Sequence, residues 1–513
     1  MYAMRTDERG LTLAGEGLRV SIGAAGPGRM RIWTTARDAF EEPPRWVLAE
    51  DAPTCAPTVV ERVGGGYRVT GDGMYAEVVP EPLSIAFFRD GRPLLRTAPG
   101  PVFARDGARL TVRFAFPPGE AVYGLGQNTR HALNLRDVER RMWNQYDAGR
   151  YSGNAGIPFL LNSSGYGVLL NTSWAARIAL GRAEPCEGNE RVVKPAAPWP
   201  LAEPGPERDP EKWAAIVEGG DLDLFVLSGD DYGAIMRGYY EMTGHPPMPP
   251  KWALGLMQCK NRYKNQKQLL EVARGYRRRG LPLDVMIIDW NWFRYFGFFR
   301  WLPGDWPDPA GMFRELRSMG IRVLAAVHPY MHEQSPFFES FERAGALIEW
   351  SPQGAGYWPP FGIHHAVDFT HPEARRIFWE TVKPLVEQGL AGFWTDMGEL
   401  EVHPEDSTPM YLGTREQAHN LYTSCWTDAI YRGWRGVFDT RCFSLPRTSY
   451  AGTQRNGCAM WTGDVDSSFD VLRDQIMIIQ QLSVSGQPFT CSDIGGFIAP
   501  PYYDPELYTR WYL

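Results

Sequence analysis

Two patterns of hydrophobic and polar positions divide this chain. Up to about residue 245, short apolar alternations are separated by Gly, Pro and Asp residues. An alternation with a period of two, broken often by turn-forming residues, is typical of half-buried antiparallel strands. Residues 1–244 are therefore predicted to form an N-terminal β-sandwich domain. The clearest alternating runs are 18–22, 67–70, 165–170 and 222–227.

The pattern changes after a proline-rich segment at 245–251, which is predicted to be a stiff linker because its prolines exclude helix and central strand. From residue 252 to 513, apolar strand-like runs alternate with amphipathic helical stretches, and this order indicates a parallel sheet. The predicted strands are 252–257, 285–289, 323–327, 392–395, 437–443, 459–461 and 489–491. The predicted helices are 266–279, 309–319, 372–388, 414–433 and 468–484.

The second half of the chain is predicted to be a catalytic (β/α)8 TIM barrel. Its length, 252–513, suits a barrel of about 250 residues. The competing fold is a doubly wound sheet, but no glycine-rich nucleotide-binding motif follows any predicted strand. Seven strands are predicted instead of eight, so we expect the barrel to be truncated before its eighth strand and the chain to be a fragment.

Composition narrows the classes of partner. The 513-residue chain has a formal net charge of −7, which argues against nucleic acid and against an anionic membrane surface. No signal-peptide pattern and no run of about 18 apolar residues is present, so we expect a cytoplasmic protein without a membrane span. The seven scattered cysteines form no CxxC pair, which predicts free thiols and no zinc site. Aromatic residues make up 13%, compatible with a large core and with sugar stacking.

Four acids and one arginine directly follow predicted strands, where barrels place their catalytic side chains. They are Asp289, Asp396, Arg447, Asp464 and Asp493. A single Asp in this position is often just the cap of the next helix. The repetition at four strand ends weakens that interpretation, and so do the tryptophans near two of the acids. Two carboxylates on neighbouring strands are what glycoside hydrolysis requires.

Four motifs resemble glycoside hydrolase family 31, the retaining α-glucosidase and α-xylosidase family. Residues 122–126 (VYGLG) resemble its N-terminal sandwich motif, and 142–147 (MWNQYD) resemble the loop that reaches over its active site. Residues 394–399 (WTDMGE) are similar to its nucleophile signature, and 461–464 (WTGD) to its acid/base signature. The resemblance covers nearly the whole chain. One departure is Gly398, where the family more often has Asn, Ser or Thr.

The resemblance implies a role for each site residue. Asp396 would be the nucleophile and Asp464 the general acid/base. Asp289 and Arg447 would bind sugar hydroxyls. A retaining pair needs carboxyls about 5–5.5 Å apart, which neighbouring strand ends can supply. The remaining expected pocket residues are Trp394, Met397 and Trp461 as apolar walls, Asp493 at the pocket lining, Asp147 in the N-terminal loop, and His328, for which a core position is the equal alternative.

The expected function is a retaining α-glycosidase without metal or organic cofactor, acting on an oligosaccharide or α-glycoside. An α-glucosidase is favoured over an α-xylosidase because residues 396–397 look glucosidase-like. The aromatic run 290–296 and the segment 259–266 favour xylose instead. Transfer to another sugar, and a non-catalytic carbohydrate-binding protein, stay open as alternatives. A homo-oligomer is possible, and linkage preference is not given by the motifs.

Overall fold

The structure is a computed structural model of the 513-residue chain. It describes residues 2–43, 45–127, 133–146, 155–181, 209–290, 292–348, 356–358, 362–400, 407–498 and 502–513. By the density of contacts, the chain divides into two compact units. The first unit comprises Met1–His245, Tyr450–Gly452 and Thr462–Leu513, and the second comprises Pro246–Ser449 and Thr453–Trp461. The domain boundaries given above at 244 and 252 stay a prediction.

The first unit consists mainly of antiparallel strands. Its strands are β1 (Ala3–Asp7), β2 (Gly10–Gly15), β3 (Leu18–Ala24), β4 (Arg29–Thr35), β5 (Val59–Val63), β6 (Gly66–Thr70), β7 (Tyr75–Pro80), β8 (Leu83–Arg89), β9 (Arg92–Arg96), β10 (Phe103–Asp106), β11 (Arg109–Ala115), β12 (Val122–Gly124), β13 (Glu139–Met142), β14 (Phe159–Asn162), β15 (Tyr166–Leu170), β16 (Ala176–Leu180), β17 (Lys212–Val217) and β18 (Leu222–Ser228). In the described part of the chain these strands form sheets ordered β1-β2-β3-β4-β18-β15-β14-β12, β10-β11-β17-β16-β13 and β5-β6-β7-β8-β9.

All three sheets contribute side chains to one hydrophobic core. Val20 and Ile32 of the first sheet, Val112 of the second, and Val78 and Ile85 of the third are fully buried in it. The alternating apolar positions thus face inward, as a period of two requires. The all-β expectation is wrong at one place, because the helix α1 (Tyr232–Thr243) follows β18. Asp231 caps this helix, and its Oδ1 accepts the Ala234 N–H at 2.7 Å.

The second unit alternates strands and helices. Its elements are β19 (Met257–Gln258), α2 (Gln266–Arg278), β20 (Val285–Ile288), α3 (Pro309–Ser318), β21 (Arg322–Val327), β22 (Tyr330–His332), α4 (Phe338–Arg343), β23 (Gly356–Trp358), β24 (Gly362–Ala366), α5 (Pro372–Gln388), β25 (Gly392–Thr395), β26 (Pro409–Met410), β27 (Gly413–Thr414), α6 (Arg415–Ala418), α7 (Tyr422–Val437), β28 (Ser444–Pro446) and β29 (Met460–Trp461). Short 3-10 helices span Lys251–Leu254, His419–Leu421 and Thr453–Asn456. The chain then returns to the first unit with α8 (Phe469–Val484), β30 (Thr490–Cys491) and α9 (Pro505–Tyr512).

The second unit is organised around a parallel sheet ordered β19-β20-β21-β25-β28. Each neighbouring pair in it is parallel, so all carboxyl ends lie at one edge. The connecting helices begin where local chemistry favours it: Asn265 and Asp308 accept backbone N–H groups at the start of α2 and α3. Proline occupies the first turn of α3 and α5, where no amide donor is needed.

Two predicted strands differ from the structure. The run 252–257 is a strand only at Met257–Gln258, because a 3-10 turn covers Lys251–Leu254. The run 437–443 is not a strand, since α7 continues to Val437 and β28 begins at Ser444. Both errors arise from short apolar runs, whose helix and strand interpretations cannot be separated by periodicity. The single helix predicted at 414–433 is divided into α6, a 3-10 turn and α7.

Candidate active site

Strand register places three predicted site residues at the same level of the parallel sheet. Val327 of β21 pairs with Thr395 of β25, and Thr395 pairs with Pro446 of β28. The next residue along each strand is His328, Asp396 or Arg447. The side chains that follow paired positions in adjacent parallel strands point to the same side. Backbone pairing alone therefore brings these three groups together at the carboxyl edge.

Asp396 lies at the centre of this group and is surrounded by donors. Its Oδ1 is 3.2 Å from Arg447 Nη1 and accepts the Met397 N–H at 2.8 Å. Its Oδ2 is 3.6 Å from His328 Nε2. Burial alone would raise the pKa of Asp396, but the Arg447 charge, His328 and the Met397 N–H outweigh it and leave that pKa below its usual value. The carboxyl is thus held ionised at neutral pH while its side chain stays 16% exposed.

Arg447 is held by a second carboxylate, Glu399, to which the sequence analysis assigned no role. Arg447 Nε lies 3.0 Å from Glu399 Oε1, and Arg447 Nη2 lies 3.0 Å from Glu399 Oε2. The Glu399 side chain is fully buried. Burial raises the pKa of Glu399, although the Arg447 charge opposes the shift. A signal was present in the sequence, since Glu399 is the last residue of the WTDMGE motif.

His328 combines contact with Asp396 and burial among aromatic rings. Only 4% of its side chain is exposed. Its ring lies 5.0 Å from that of Phe296 and 5.8 Å from that of Phe293, measured between centroids. Both expectations for this histidine thus describe part of its environment: the ring packs in the core, and its Nε2 faces the central carboxylate.

Aromatic and apolar side chains lie around the end of β25, where Asp396 follows. The Trp394 and Trp461 rings meet edge to face, with centroids 5.4 Å apart. Met397 is buried and has a φ of 64°, a left-handed conformation that turns the chain sharply after Asp396. The second unit thus groups the three predicted apolar residues around the end of β25.

Asp289 follows β20, next to β21 in the same parallel sheet. Its side chain is 5% exposed, and its Oδ1 accepts the N–H of Trp290. The guanidinium carbon of Arg262 lies 4.0 Å from the centre of the Trp290 ring. Asp289 therefore lies at the carboxyl edge predicted for it, beside an aromatic residue covered by a cation.

The remaining predicted residues belong to the first unit. Asp464 Oδ2 accepts the hydroxyl of Tyr146 at 2.7 Å. Asp493 lies in the turn after β30, and its backbone carbonyl accepts the Gly496 N–H at 2.9 Å. Asp147 lies outside the described residues. Sequence reasoning did not single out Tyr146, although it lies within the quoted loop motif 142–147.

The described residues contain neither a candidate metal-binding group nor a candidate membrane-spanning helix. Among them, no three His, Cys, Asp or Glu side chains are grouped so that they could hold a metal ion. None of the helices in the described part of the chain is both long and apolar enough to cross a lipid bilayer. The expected cytoplasmic location stays a prediction.

A parallel sheet with carboxylates after its strands is typical of glycoside hydrolases. Comparison with known proteins identifies the family. The family model "Glycosyl hydrolases family 31 TIM-barrel domain" matches residues 246–513. The model "Glycosyl hydrolase 31 N-terminal galactose mutarotase-like domain" matches residues 18–178. The chain belongs to glycoside hydrolase family 31. This result confirms the predicted resemblance and the predicted architecture of a β-sandwich followed by a (β/α)8 barrel domain.

Individual relatives agree on the family and differ in their named substrates. An uncharacterized family 31 glucosidase of Pseudescherichia vulneris is 34% identical over 411 residues, covering 79% of this chain and 71% of the relative. An alpha-xylosidase of Saccharolobus solfataricus is 29% identical over 414 residues, covering 78% of this chain and 51% of the relative. The fold matches that of a Flavobacterium johnsoniae GH31 dextranase complexed with glucose, with a TM-score of 0.87 at 23% identity, covering 100% of this chain and 63% of that one.

Proposed function

We propose that this chain carries the catalytic residues of a retaining α-glycosidase. The main support is the environment of Asp396, whose carboxylate is held ionised by Arg447, His328 and a backbone N–H. A retaining enzyme needs such a group as its nucleophile. The chain spans 71% of one relative and 51% of another, so the proposal concerns the whole protein of which these residues are part.

In the proposed reaction, Asp396 attacks the anomeric carbon while Asp464 gives its proton to the leaving oxygen. The glycosidic C–O bond breaks, and a covalent glycosyl-enzyme ester forms at Asp396. Asp464, now a carboxylate, then takes a proton from water, and that water displaces Asp396 from the sugar. Two displacements restore the α configuration. Asp289 and Arg447 are proposed to hold sugar hydroxyls.

Glucose is the glycone that we propose first. The case for xylose rested on the segment 259–266 and on crowding by the aromatic run after Asp289. Trp292, Phe293 and Phe296 of that run are buried in the second unit, and Trp292 Nε1 donates to the Ala326 carbonyl at 3.0 Å. The Trp292 ring is thus fixed in the interior, whereas Trp290 and Tyr295 of the same run are only half-buried. Xylose stays the second candidate because a relative is named an alpha-xylosidase.

The direct test measures release of 4-nitrophenol from its α-glucoside and its α-xyloside by the full-length protein. We expect turnover of at least one substrate, reduced about 10⁴-fold or more by Asp396→Ala, as for comparable deletions of catalytic groups. Asp464→Ala should reduce it less, because 4-nitrophenol is a good leaving group that needs little help from a general acid. Asp439→Ala changes an exposed acid in the connection between α7 and β28 and is the matched control. Sugar binding by an unmutated protein that hydrolyses neither substrate would favour the carbohydrate-binding alternative.

A further inference from the structure

The segment that leads to Asp464 is attached to residues of the N-terminal sandwich. The Gln127 side-chain amide donates to the Thr462 carbonyl at 2.8 Å, three residues after β12 ends. The Thr462 N–H donates to the Cys491 carbonyl at 3.1 Å. Both contacts lie within the first unit. The backbone position of Asp464 is thus set by groups that belong to the same compact unit.

Tyr146 reaches the carboxyl group of Asp464 from a firmly held segment. Met142 and Trp143, which precede it, are buried. Asn144 is also buried, and its Oδ1 accepts the Gly156 N–H at 3.1 Å. The Tyr146 hydroxyl lies 2.7 Å from Asp464 Oδ2, a short distance typical of a hydroxyl that donates to a carboxylate. A phenol has one donor proton, and here it is directed to one identified oxygen.

We propose that Tyr146 is a positioning residue for the acid/base Asp464, and that its hydroxyl reserves Oδ2 as an acceptor so that Oδ1 carries the transferable proton. This inference rests on the proposed function, in which Asp464 protonates the leaving group. In the first displacement the proton leaves Oδ1 for the glycosidic oxygen as the C–O bond breaks. The negative charge that appears on the carboxylate is then stabilised at Oδ2 by the Tyr146 hydroxyl.

The test compares two substrates whose leaving groups differ in how much they need protonation by a general acid. Fluoride leaves a glycosyl fluoride with little help from a general acid, whereas an alkoxide leaves only when protonated. For Tyr146→Phe we expect kcat/KM to fall about tenfold on methyl α-glucoside, the loss that corresponds to one hydrogen bond. On α-glucosyl fluoride kcat/KM should change less than about twofold. The α-xylosyl pair replaces these substrates if the unmutated protein prefers xylose.

Two control variants make the result decisive. Asp464→Ala should show the same split between substrates, with a loss of about 10²- to 10⁴-fold on the methyl glycoside. Tyr450→Phe removes another buried phenol of the first unit, which donates to the Thr172 carbonyl at 2.9 Å. If Tyr450→Phe affects folding, kcat/KM should fall by the same factor on both substrates.

Equal losses on the two substrates for Tyr146→Phe, or no loss on the methyl glycoside, would overturn the inference while Asp464→Ala still shows its split. An Asp464→Ala variant without any split, or an unmutated protein that cleaves neither substrate, would overturn the proposed function and the inference together.

Discussion

Arg447 is shared by two carboxylates whose environments differ. Glu399 is fully buried and bound by two guanidinium nitrogens, and burial raises its pKa. Asp396 has two further donors, His328 and the Met397 N–H, and its pKa is lowered in spite of burial. The guanidinium is thus oriented by one acid and compensates the charge of the other. Glu399 is thus the group that fixes the geometry of Arg447, and Asp396 is the proposed nucleophile.

Replacing Glu399 by Gln removes the negative charge that orients Arg447. The buried guanidinium then keeps the carboxylate of Asp396, but its contact with residue 399 becomes weaker. We expect the free energy of unfolding to fall by about 3 kcal/mol, as when one partner of a buried ion pair is removed. We also expect a fall in kcat of about tenfold or more, because the misplaced guanidinium weakens transition-state contacts. Denaturant titration and steady-state kinetics measure the two effects.

The matched control is Glu315→Gln. Glu315 also binds an arginine through two nitrogens, with Arg274 Nε at 2.6 Å from Oε1 and Arg274 Nη2 at 2.8 Å from Oε2, but this pair is exposed. An exposed pair contributes at most about 1 kcal/mol. Similar losses of stability in the two variants would contradict the special role given to Glu399.

As the proposed nucleophile, Asp396 has to be ionised to react, so the activity should depend on pH through this residue. Its pKa is lowered chiefly by Arg447 and His328 against the opposing effect of burial. In His328→Leu the nearby donor is lost, so the pKa of Asp396 rises and the acid limb of kcat/KM moves to higher pH. The pH profile of the variant measures this shift.

His371→Asn is a suitable control for that profile. His371 caps α5, where its Nδ1 accepts the Glu373 N–H at 3.1 Å, and Asn preserves a capping oxygen. Its acid limb should coincide with that of the unmutated protein. An unchanged limb in His328→Leu, or a limb moved to lower pH, would mean that His328 does not stabilise the Asp396 carboxylate.

Among elements, the turn after β25 is held by the first turn of α7. Met397 and Leu400 have φ values of 64° and 54°, and between them the Gly398 carbonyl accepts the Thr423 hydroxyl at 2.7 Å. A Cβ at position 398 would lie 2.5 Å from Thr423 Oγ1. The space that a side chain at 398 would need is therefore filled by Thr423, which accounts for the glycine in the WTDMGE motif.

This packing predicts that residues 398 and 423 are coupled. Gly398→Ala should destabilise by about 1–3 kcal/mol through overpacking, and Thr423→Ala by about 1 kcal/mol through a lost hydrogen bond. The double variant should lose less than the sum of the two, because removing the hydroxyl makes room for the new methyl group. Unfolding of the four proteins measures the coupling, and strict additivity would show that the contact does not limit residue 398.

Sequence patterns predicted elements best where local chemistry and periodicity agree. The helix predicted at 372–388 is α5, Pro372–Gln388, because proline begins it and Gly389 ends it. The strand predicted at 437–443 failed because the apolar residues there belong to the end of α7 and to the connection that follows. A short apolar pattern does not show which backbone conformation its residues adopt, and here only Cys442 and Phe443 of the run are buried.

The same distinction applies to the candidate site. The strand-end rule predicted Asp396 and Arg447 as site residues, and strand register brings them together with His328, because register in a parallel sheet follows from the strands themselves. Glu399 and Tyr146 were missed as partners. Their contacts join residues 48 and 318 positions apart, and such pairings depend on tertiary packing, which no local pattern encodes.

At the scale of the whole molecule, some predicted site residues belong to one compact unit and some to the other. Asp396, Arg447, His328 and Asp289 belong to the second unit, and Asp464 belongs to the first, although it follows the barrel strands in sequence. The first unit therefore contains more than a sandwich. Its sheets contact the helix α8, through the Gly124 N–H to Gln481 Oε1 bond at 2.7 Å, and the segment that leads to Asp464, through the Gln127 amide to Thr462 carbonyl bond at 2.8 Å.

This division limits how the gene can be recombined. The proline-rich segment at 245–251, which is the predicted linker, is the obvious place for an exchange between related genes. An exchange there would nevertheless pair the Asp464 segment of one parent with the Tyr146 and Gln127 of another. Viable chimeras should therefore keep both regions from the same parent, and evolution should have inherited the two halves of the chain together.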